Sequence, residues 1–308
     1  MNKIKLGIIG LSEGNGHPYS FSAIINGYDK AAMKASGWTG IFDYLEIKDE
    51  SDFLQGMAEV THVWTQNHEE SIKIAKASKI ETICKDREEM IGKVDAVIIA
   101  RDDHEQHYEM AKPFLEAEIK VFVDKPLSLD INELRYFKPY LENGQLMSCS
   151  GLRYARELDE TRIWLQEEKD LKLIRTSVLL TWEKYGIHML DAIFGMIDFN
   201  VKSVYAIEGK HKSVMLRTED DVIMHIDALG QTVKTFEMSV WSNSRRGAIE
   251  ISDNFTAFKR TMYYFIKMVK SGKPQIESTL TLSIMKVLIA ANMSIDEKRE
   301  VFLHEITI

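Results

Sequence analysis

Short apolar runs alternate with amphipathic segments over the first 150 residues, and this pattern limits the possible folds more than any other feature. The apolar runs have the length of strands and lie at 5–10, 60–65, 82–84, 94–100 and 120–123. The run VDAVIIA is almost continuously apolar, as expected for a strand covered on both faces. Strands and helices that alternate at this spacing predict βαβ units and a parallel sheet.

After about residue 127 the pattern changes to alternating strands. Residues 173–182 place Ile174, Val178, Leu180 and Trp182 on one face at period two. Residues 220–241 predict a hairpin that turns at Gly230-Gln231. Two amphipathic helices follow. We therefore predict an α/β protein with a parallel-sheet domain at 1–127. The predicted second domain, at 128–308, is α+β, with a mainly antiparallel sheet that leaves one face open.

Composition excludes several classes of protein. The net charge of -8 and the absence of a basic stripe argue against a nucleic-acid partner. Cys84 and Cys149 are far apart and in no ligand-type spacing, which argues against a zinc-ribbon site and fits a reducing, cytoplasmic location. His104 and His107 with Asp102, or His188 with Asp191, could be interpreted as metal ligands, but no set of three or four converging ligands is evident, so we expect no metal site. The N-terminal apolar run is too short for a signal peptide, and we expect no stretch of membrane-spanning length and no membrane partner.

A glycine-rich stretch follows the first predicted strand. Gly10 fits the first glycine of a dinucleotide-binding turn, Ser12 takes the second place, and Gly14, Asn15 and Gly16 follow without a regular third position. Such a turn lets the backbone approach a pyrophosphate at a helix N-terminus, so we predict that these five residues bind a cofactor. The alternative is a plain loop between a strand and a helix.

The end of the second predicted strand is where many dinucleotide-binding domains carry an acidic residue for the adenosine ribose. Thr65 and Gln66 stand there instead, and we predict that they contact the cofactor. Neither a carboxylate nor an arginine is present to favour NAD or NADP, so both remain possible. Residues 28–59 exceed what a minimal βαβ unit needs, and they would form a lid, a partner contact or a decorated surface loop.

Asp124-Lys125-Pro126 ends the run at 120–123. Taken alone, this motif has two interpretations: a solvated charge pair at a strand end, or a lysine positioned for catalysis. Further along, GIHMLD carries Gly186, His188 and Asp191 on a predicted helix. Together with the glycine loop, these two motifs resemble the glucose–fructose oxidoreductase/inositol dehydrogenase (Gfo/Idh/MocA) family over nearly the whole chain.

The resemblance implies an N-terminal Rossmann domain and NAD- or NADP-dependent hydride transfer at a carbon of a sugar, cyclitol or sugar acid. Lys125 would be the cationic donor to the substrate oxygen and His188 the proton acceptor. Asp191 would orient His188 or cap local backbone. The resemblance also implies further contacts: Arg101, Asp102, His107, Asp124 and Lys125 with the cofactor, and Arg153 and Tyr185 with the substrate.

Two of these positions have an alternative interpretation. Residues 101–103 would form a solvated turn that caps the next helix, and Arg153 would form an ion pair between domains. The resemblance further implies a homodimer or homotetramer assembled through the open sheet face.

The chain departs from the family at position 184. Many relatives carry an aspartate four residues before the histidine, whereas this chain has Lys184. We count Lys184 among the catalytic candidates, because it would lower the pKa of His188 or bind an anionic substrate. Alternatively it faces solvent and Tyr185 assists. A non-catalytic nucleotide- or sugar-binding regulatory paralogue and an NAD-dependent glycosidase of the same fold remain alternatives.

Overall fold

The computed structural model describes residues 3–168 and 170–308, which form two compact units. The first unit contains the chain up to Ser128 together with Arg135–Cys149 and Phe258–Ser278, and the second contains Leu129–Leu134, Ser150–Ala257 and Thr279–Ile308. Among the described residues, three helices therefore contribute to both units: Ile131–Glu142, Asn254–Ser271 and Ser278–Glu297. The predicted domain boundary after residue 127 stays a prediction.

The first unit is built on a six-stranded sheet. Its strands are β1 (Ile4–Ile9), β2 (Ala58–Trp64), β3 (Thr82–Ile83), β4 (Ala96–Ile99), β5 (Lys120–Val123) and β6 (Leu146–Ser148). They lie in the order β3-β2-β1-β4-β5-β6, and every neighbouring pair is parallel. The parallel sheet is thus confirmed. The strand order reverses between β1 and β4, and ligands bind at such a point beyond the carboxyl ends of the strands.

Helices connect these strands. They are α1 (His17–Asn26), α2 (Lys30–Ala35), α3 (Thr39–Glu46), α4 (His68–Ala77), α5 (His107–Glu116) and α6 (Ile131–Glu142). Leu6, Ile8 and Ile9 of β1 and all four residues of β4 are fully buried, which explains why these stretches are almost continuously apolar. Much of the additional segment at 28–59 forms α2 and α3. The Tyr44 hydroxyl of α3 donates to Ser20 Oγ of α1 at 2.5 Å, so this segment is packed against α1.

The second unit contains a seven-stranded sheet. Its strands are β7 (Leu171–Val178), β8 (Val201–Glu208), β9 (Lys212–Thr218), β10 (Ile223–Ala228), β11 (Phe236–Ser242), β12 (Arg246–Glu250) and β13 (Val301–Phe302). The order is β12-β11-β7-β10-β9-β8-β13. β7 and β10 are parallel, and the other pairs are antiparallel, so the predicted mainly antiparallel sheet is confirmed. The remaining helices are α7 (Asp159–Leu165), α8 (Ile187–Phe194), α9 (Asn254–Ser271) and α10 (Ser278–Glu297).

The predicted hairpin at 220–241 is wrong. Both strands exist, as β10 and β11, but β7 lies between them and pairs with each. Leu180, just after β7, exchanges backbone hydrogen bonds with Gly230 at 2.7 and 3.0 Å, so the β10–β11 connection passes around the end of β7. Alternation identifies a strand but does not identify its neighbour, and here a distant strand is the partner.

Helix α10 corrects the expectation that no apolar stretch approaches membrane-spanning length. By length and composition this helix is sufficient to cross a membrane, but half of its apolar window is buried inside the protein. Ser294 of α10 accepts a hydrogen bond from the Ala206 N–H of β8 at 3.0 Å and donates to the Arg299 carbonyl. These contacts are typical of the core helix of a globular domain, so α10 is weak evidence for a membrane span.

Candidate functional site

Lys125 follows directly after β5, at the carboxyl end of the parallel sheet. Its side chain is 3% exposed, and Nζ lies 3.3 Å from Oδ2 of Asp102, which comes after β4. The peptide bond between Lys125 and Pro126 is cis. Asp124 is also buried, with 1% of its surface exposed. Burial of both side chains contradicts the interpretation of a solvated charge pair at a strand end.

Asp102 connects Lys125 to the glycine loop. Its Oδ1 accepts a hydrogen bond from Ser12 Oγ at 2.6 Å, while its backbone N–H donates to the same hydroxyl at 3.1 Å. Burial alone would raise the pKa of Asp102, but the Lys125 ammonium and the Ser12 hydroxyl outweigh burial and lower it. Asp102 is therefore a carboxylate at neutral pH, and it holds the Lys125 ammonium at the sheet edge.

Asp124 forms a second link to the glycine loop. Its Oδ2 accepts from Asn15 Nδ2 at 3.0 Å and lies 2.5 Å from Nδ1 of His17, while its Oδ1 accepts from the Lys125 N–H at 2.8 Å. Burial would raise the pKa of Asp124, but His17, Lys125 and Asn15 together hold it well below the ordinary carboxyl range. The buried carboxylate thus fixes both the loop and the backbone of Lys125.

His17 was missed by the sequence analysis. It is the first residue of α1, its ring stacks on Phe21 at 4.7 Å, and it meets the edge of Phe258 at 5.0 Å. The available signal was a histidine placed directly after the glycine loop, where a polar side chain faces the sheet edge. Its partner Asp124 lies 107 residues further on, so no local pattern connects the two.

Three glycines of the loop have different surroundings. Gly10 has φ +83°, and a Cβ there would lie 2.7 Å from Cδ of Arg101. Gly14 has φ +76° and open space around its missing Cβ, whereas a Cβ on Gly16 would clash with Ile41 and Trp38. The backbone at Gly14 is thus accessible to a phosphate group, which fits a dinucleotide. At Gly16, by contrast, Ile41 of α3 and the preceding Trp38 fill the space beside the backbone.

The residues after β2 make hydrogen bonds within the chain. The Thr65 hydroxyl donates to the Asn67 carbonyl at 2.6 Å and contacts Ser71 Oγ at 2.9 Å, close to the start of α4. Gln66 Oε1 accepts from the Leu11 N–H at 3.3 Å, and its Nε2 donates to the Leu11 carbonyl. The Gln66 amide therefore occupies the backbone N–H of Leu11 in the glycine loop.

Arg101 and His107 are structural supports of the same edge. The Arg101 guanidinium pairs with Asp103, with Nε 2.6 Å from Oδ1. His107 is fully buried, and its two ring nitrogens lie 2.8 Å from the Arg101 carbonyl and 3.0 Å from the Leu127 carbonyl. His107 therefore joins the segments that follow β4 and β5. His107 would therefore influence a bound cofactor by positioning these two segments.

His188 belongs to α8 in the second unit, directly after a π-helical turn at Trp182–Gly186. Such turns occur frequently at functional sites. Nδ1 of His188 lies 2.6 Å from Ser150 Oγ, and the ring meets those of Tyr185 and Phe236 at 4.9 and 5.9 Å. The imidazole is thus held by one hydroxyl and two aromatic rings. Sequence analysis missed Ser150, whose polar side chain after β6 was the available signal.

Asp191 lies one helical turn after His188 and contacts Ser150 rather than the imidazole. Its Oδ2 accepts from the Ser150 N–H at 2.6 Å, and its Oδ1 lies 3.3 Å from Nη1 of Arg153. Burial raises the pKa of Asp191 to about 6, against the opposing effects of Arg153 and the Ser150 N–H. Asp191 therefore caps local backbone and pairs with Arg153 within the second unit.

The exposed Lys184 lies in the π-helical turn. Its neighbour Glu183 pairs with Lys212, and this ion pair lowers the pKa of Glu183 against the effect of burial. No acidic side chain stands at position 184, and His188 is bonded to Ser150 instead. The roles proposed for Lys184, Arg153 and Tyr185 remain predictions.

The first unit, with its strand order, glycine loop and buried lysine at the sheet edge, defines a dinucleotide-binding Rossmann domain. Residues 4–148 match the family model described as "Oxidoreductase family, NAD-binding Rossmann fold", Gfo/Idh/MocA. The match covers the Rossmann domain, and this domain belongs to the family. No curated protein matches the chain significantly.

Solved structures share the fold of the whole chain. A probable dehydrogenase from Thermotoga maritima is 17% identical, with a TM-score of 0.76, and the alignment covers 99% of this chain and 100% of that one. Myo-inositol 2-dehydrogenase from Lactobacillus plantarum is 15% identical, with a TM-score of 0.77 and coverage of 98% and 99%.

Scyllo-inositol dehydrogenase from Lactobacillus casei, solved with NAD(H) and scyllo-inositol, is also 15% identical to this chain. Its TM-score is 0.74, and the alignment covers 98% of this chain and 100% of that one. At these identities the likeness establishes the fold.

Proposed function

We propose that the protein is an NAD- or NADP-dependent dehydrogenase or reductase acting at a CH–OH carbon of a polyol, sugar or sugar acid. The observation that carries this proposal is the buried Lys125 ammonium, held by Asp102 beyond the carboxyl end of a parallel sheet. A buried ammonium in that position is suited to stabilise the oxygen of an alcohol that becomes a carbonyl. Family membership supports the same reaction class.

The residues present fit a dinucleotide. The open space at Gly14 allows a phosphate to approach the backbone, and we propose that Gly10, Ser12, Asn15 and Gly16 shape the same loop. A bound nicotinamide would supply the hydride acceptor or donor. Thr65 and Gln66 provide no carboxylate, so NAD and NADP are both candidates.

We propose two roles in the chemical step: a hydrogen bond to the reacting oxygen of the substrate, and transfer of its hydroxyl proton. Lys125 would donate a hydrogen bond to the reacting oxygen through its ammonium, and His188 would take the hydroxyl proton or return it. An imidazole is suited to this exchange because its ordinary pKa lies near neutrality. The inositol dehydrogenases with this fold make a cyclitol, a sugar or a sugar acid the first substrates to test.

The experiment combines nucleotide binding with turnover. NADH and NADPH fluorescence titrations are followed by assays with cyclitols, sugars and sugar acids and either cofactor. Lys125→Met is expected to abolish turnover while leaving nucleotide affinity within about threefold, because the loss falls on the transition state. Lys120→Met, at the other end of β5, is the matched control and should keep full activity.

Two results would overturn the proposal: no binding of either nucleotide at millimolar concentration, or full activity in Lys125→Met.

A ligand-binding protein without turnover is the second candidate. The internal pairing of Gln66 with Leu11 and the exposed Lys184 in place of an acid favour it. Nucleotide binding without activity on the whole substrate panel would support this candidate. Substrate cleavage without net reduction of nucleotide would instead support the glycosidase alternative.

We also propose a homo-oligomer that uses the open face of the second sheet. Ile207 of β8 is 58% exposed and Tyr205 is 37% exposed, which leaves apolar surface on this strand. A monomer by light scattering at micromolar concentration would contradict the proposal. Cys84 and Cys149 are both buried and are not joined in a disulfide, and on this basis we propose a reducing, cytoplasmic location.

A further inference from the structure

Two hydrogen bonds, in addition to the contact with His188, fix the position of Ser150. Its N–H donates to Asp191 Oδ2 at 2.6 Å, and its hydroxyl accepts from the Leu152 N–H at 3.2 Å, which caps the turn at Gly151–Tyr154. The residue is 1% exposed. Its Oγ therefore has a defined position, and that position is 2.6 Å from Nδ1 of His188. Such a contact between buried groups is a strong hydrogen bond.

We propose that the Ser150 hydroxyl positions His188 with Nδ1 inward, so that Nε2 is the nitrogen that exchanges a proton with the substrate. The role of Ser150 rests on the hydrogen bonds above, and its catalytic meaning rests on the proposed function. Ser150 thereby substitutes for the acidic side chain that many relatives carry at the position of Lys184. Because the Lys184 side chain is exposed and its ammonium has no acceptor, it cannot accept a hydrogen bond from the imidazole N–H.

The hydroxyl is suited to both protonation states of His188. When the neutral imidazole acts as a base, Nε2 is unprotonated and the Nδ1–H donates to Ser150 Oγ. The substrate O–H proton would then move to Nε2, and a bound oxidised nicotinamide would supply the hydride acceptor that lets the same carbon become a carbonyl. The resulting imidazolium still donates from Nδ1 to Ser150, so the contact persists through the step.

A hydroxyl differs from a carboxylate in one respect. It carries no charge, so it orients the ring without stabilising the imidazolium as strongly as an adjacent aspartate would. The carboxylate of Asp191 bonds the backbone of Ser150 and the guanidinium of Arg153. Asp191 therefore acts on His188 through Ser150, as a support for its position.

The closing experiment compares Ser150→Ala, Ser150→Thr and a control. Ser294→Ala removes another fully buried hydroxyl with two hydrogen bonds in the same unit and lies outside the site. The imidazole nitrogens are followed by NMR in protein labelled with 15N-histidine, which reports the protonated nitrogen without requiring turnover. We expect His188 to carry its proton on Nδ1 in the native protein and in Ser150→Thr, and to shift toward the Nε2–H form in Ser150→Ala.

Kinetics provide the second measurement. Ser150→Ala should lower kcat on the order of 10- to 100-fold with KM nearly unchanged, because orientation matters most in the transition state. Ser150→Thr should recover most of kcat, and Ser294→Ala should leave it unchanged. If Ser150→Ala does not fold, Ser150→Cys keeps the shape and weakens the hydrogen bond.

Unchanged 15N shifts of His188 in the Ala and Cys variants would overturn the positioning role. Absent turnover in every protein, with the NMR response intact, would overturn the proposed function alone.

Discussion

Nδ1 of His17 lies 2.5 Å from Oδ2 of Asp124, and this contact ties the start of α1 to the segment that carries Lys125. Asn15 of the glycine loop binds the same oxygen at 3.0 Å. A single buried carboxylate thus holds two parts of the dinucleotide-binding edge together. Any change that loosens Asp124 should disturb the loop and Lys125 at the same time.

The first prediction concerns His17. His17→Ala removes the largest influence that keeps Asp124 ionised, so the carboxylate is left buried with weaker compensation. We expect a loss of about 3 kcal/mol in the free energy of unfolding, because a buried carboxylate loses one of its hydrogen-bond partners. We also expect weaker NADH binding, since the loop loses an anchor. Chemical denaturation and fluorescence titration measure the two effects.

His17→Asn is the matched control for that prediction. Its amide nitrogen lies near the position of Nδ1 and keeps one donor for Asp124, so it should recover much of the lost stability. If Ala and Asn reduce stability equally, the hydrogen bond is unimportant and the stacking of His17 on Phe21 explains the loss.

The second prediction follows from the raised pKa of Asp191. Because folding favours the protonated form, the contribution of Asp191 to stability is fully present below the ordinary carboxyl pKa, 3.8, and is lost as the pH rises through about 6. The native protein should therefore lose on the order of 2–3 kcal/mol from this group between pH 4 and 6.5. Asp191→Asn cannot titrate and should lack that component.

The measurement is the difference in unfolding free energy between native protein and Asp191→Asn across this range. Taking the difference cancels the other carboxylates, several of which titrate in the opposite direction. A difference that does not change with pH would show that Arg153 keeps Asp191 ionised throughout.

Sequence patterns predicted the parts of this protein that depend on periodicity. The strands of the first sheet follow from apolar runs whose spacing is local, whereas the helix that carries His188 is what the family resemblance implies. The contacts between site residues cannot be predicted from local spacing. Ser150 and His188 are 38 residues apart, and a serine in a loop has no local signature. The wrong hairpin has the same cause, because alternation in β10 and β11 contains no information that β7 lies between them.

The third prediction tests how α3 and the preceding residue close the glycine loop. Gly16 has φ -87°, which any residue adopts, but a Cβ there would lie 2.5 Å from Ile41 and 2.7 Å from the Trp38 ring. Gly16→Ala should destabilise the protein by about 1–3 kcal/mol through overpacking. In a Trp38→Ala background the same change should cost less, because the ring is gone.

Gly14→Ala provides the contrast. A Cβ there meets open space, but φ is +76°, so strain of about 1 kcal/mol is expected in either background. Chemical denaturation of the four Gly16 and Trp38 combinations gives the coupling energy. A cost of Gly16→Ala that is independent of Trp38 would contradict the packing that we describe.

The last prediction concerns the choice between NAD and NADP. Gln66→Glu places a carboxylate after β2, where it would accept from ribose hydroxyls and repel a ribose phosphate. Its Oε1 keeps the hydrogen bond from the Leu11 N–H, whereas the Leu11 carbonyl loses its donor. NADP affinity should therefore fall about tenfold relative to NAD, which corresponds to about 1.4 kcal/mol. Gln66→Ala, which removes both bonds to Leu11 without adding charge, should leave the ratio of the two affinities unchanged. If both variants shift the ratio equally, loop mobility at Leu11 rather than charge at position 66 sets the preference.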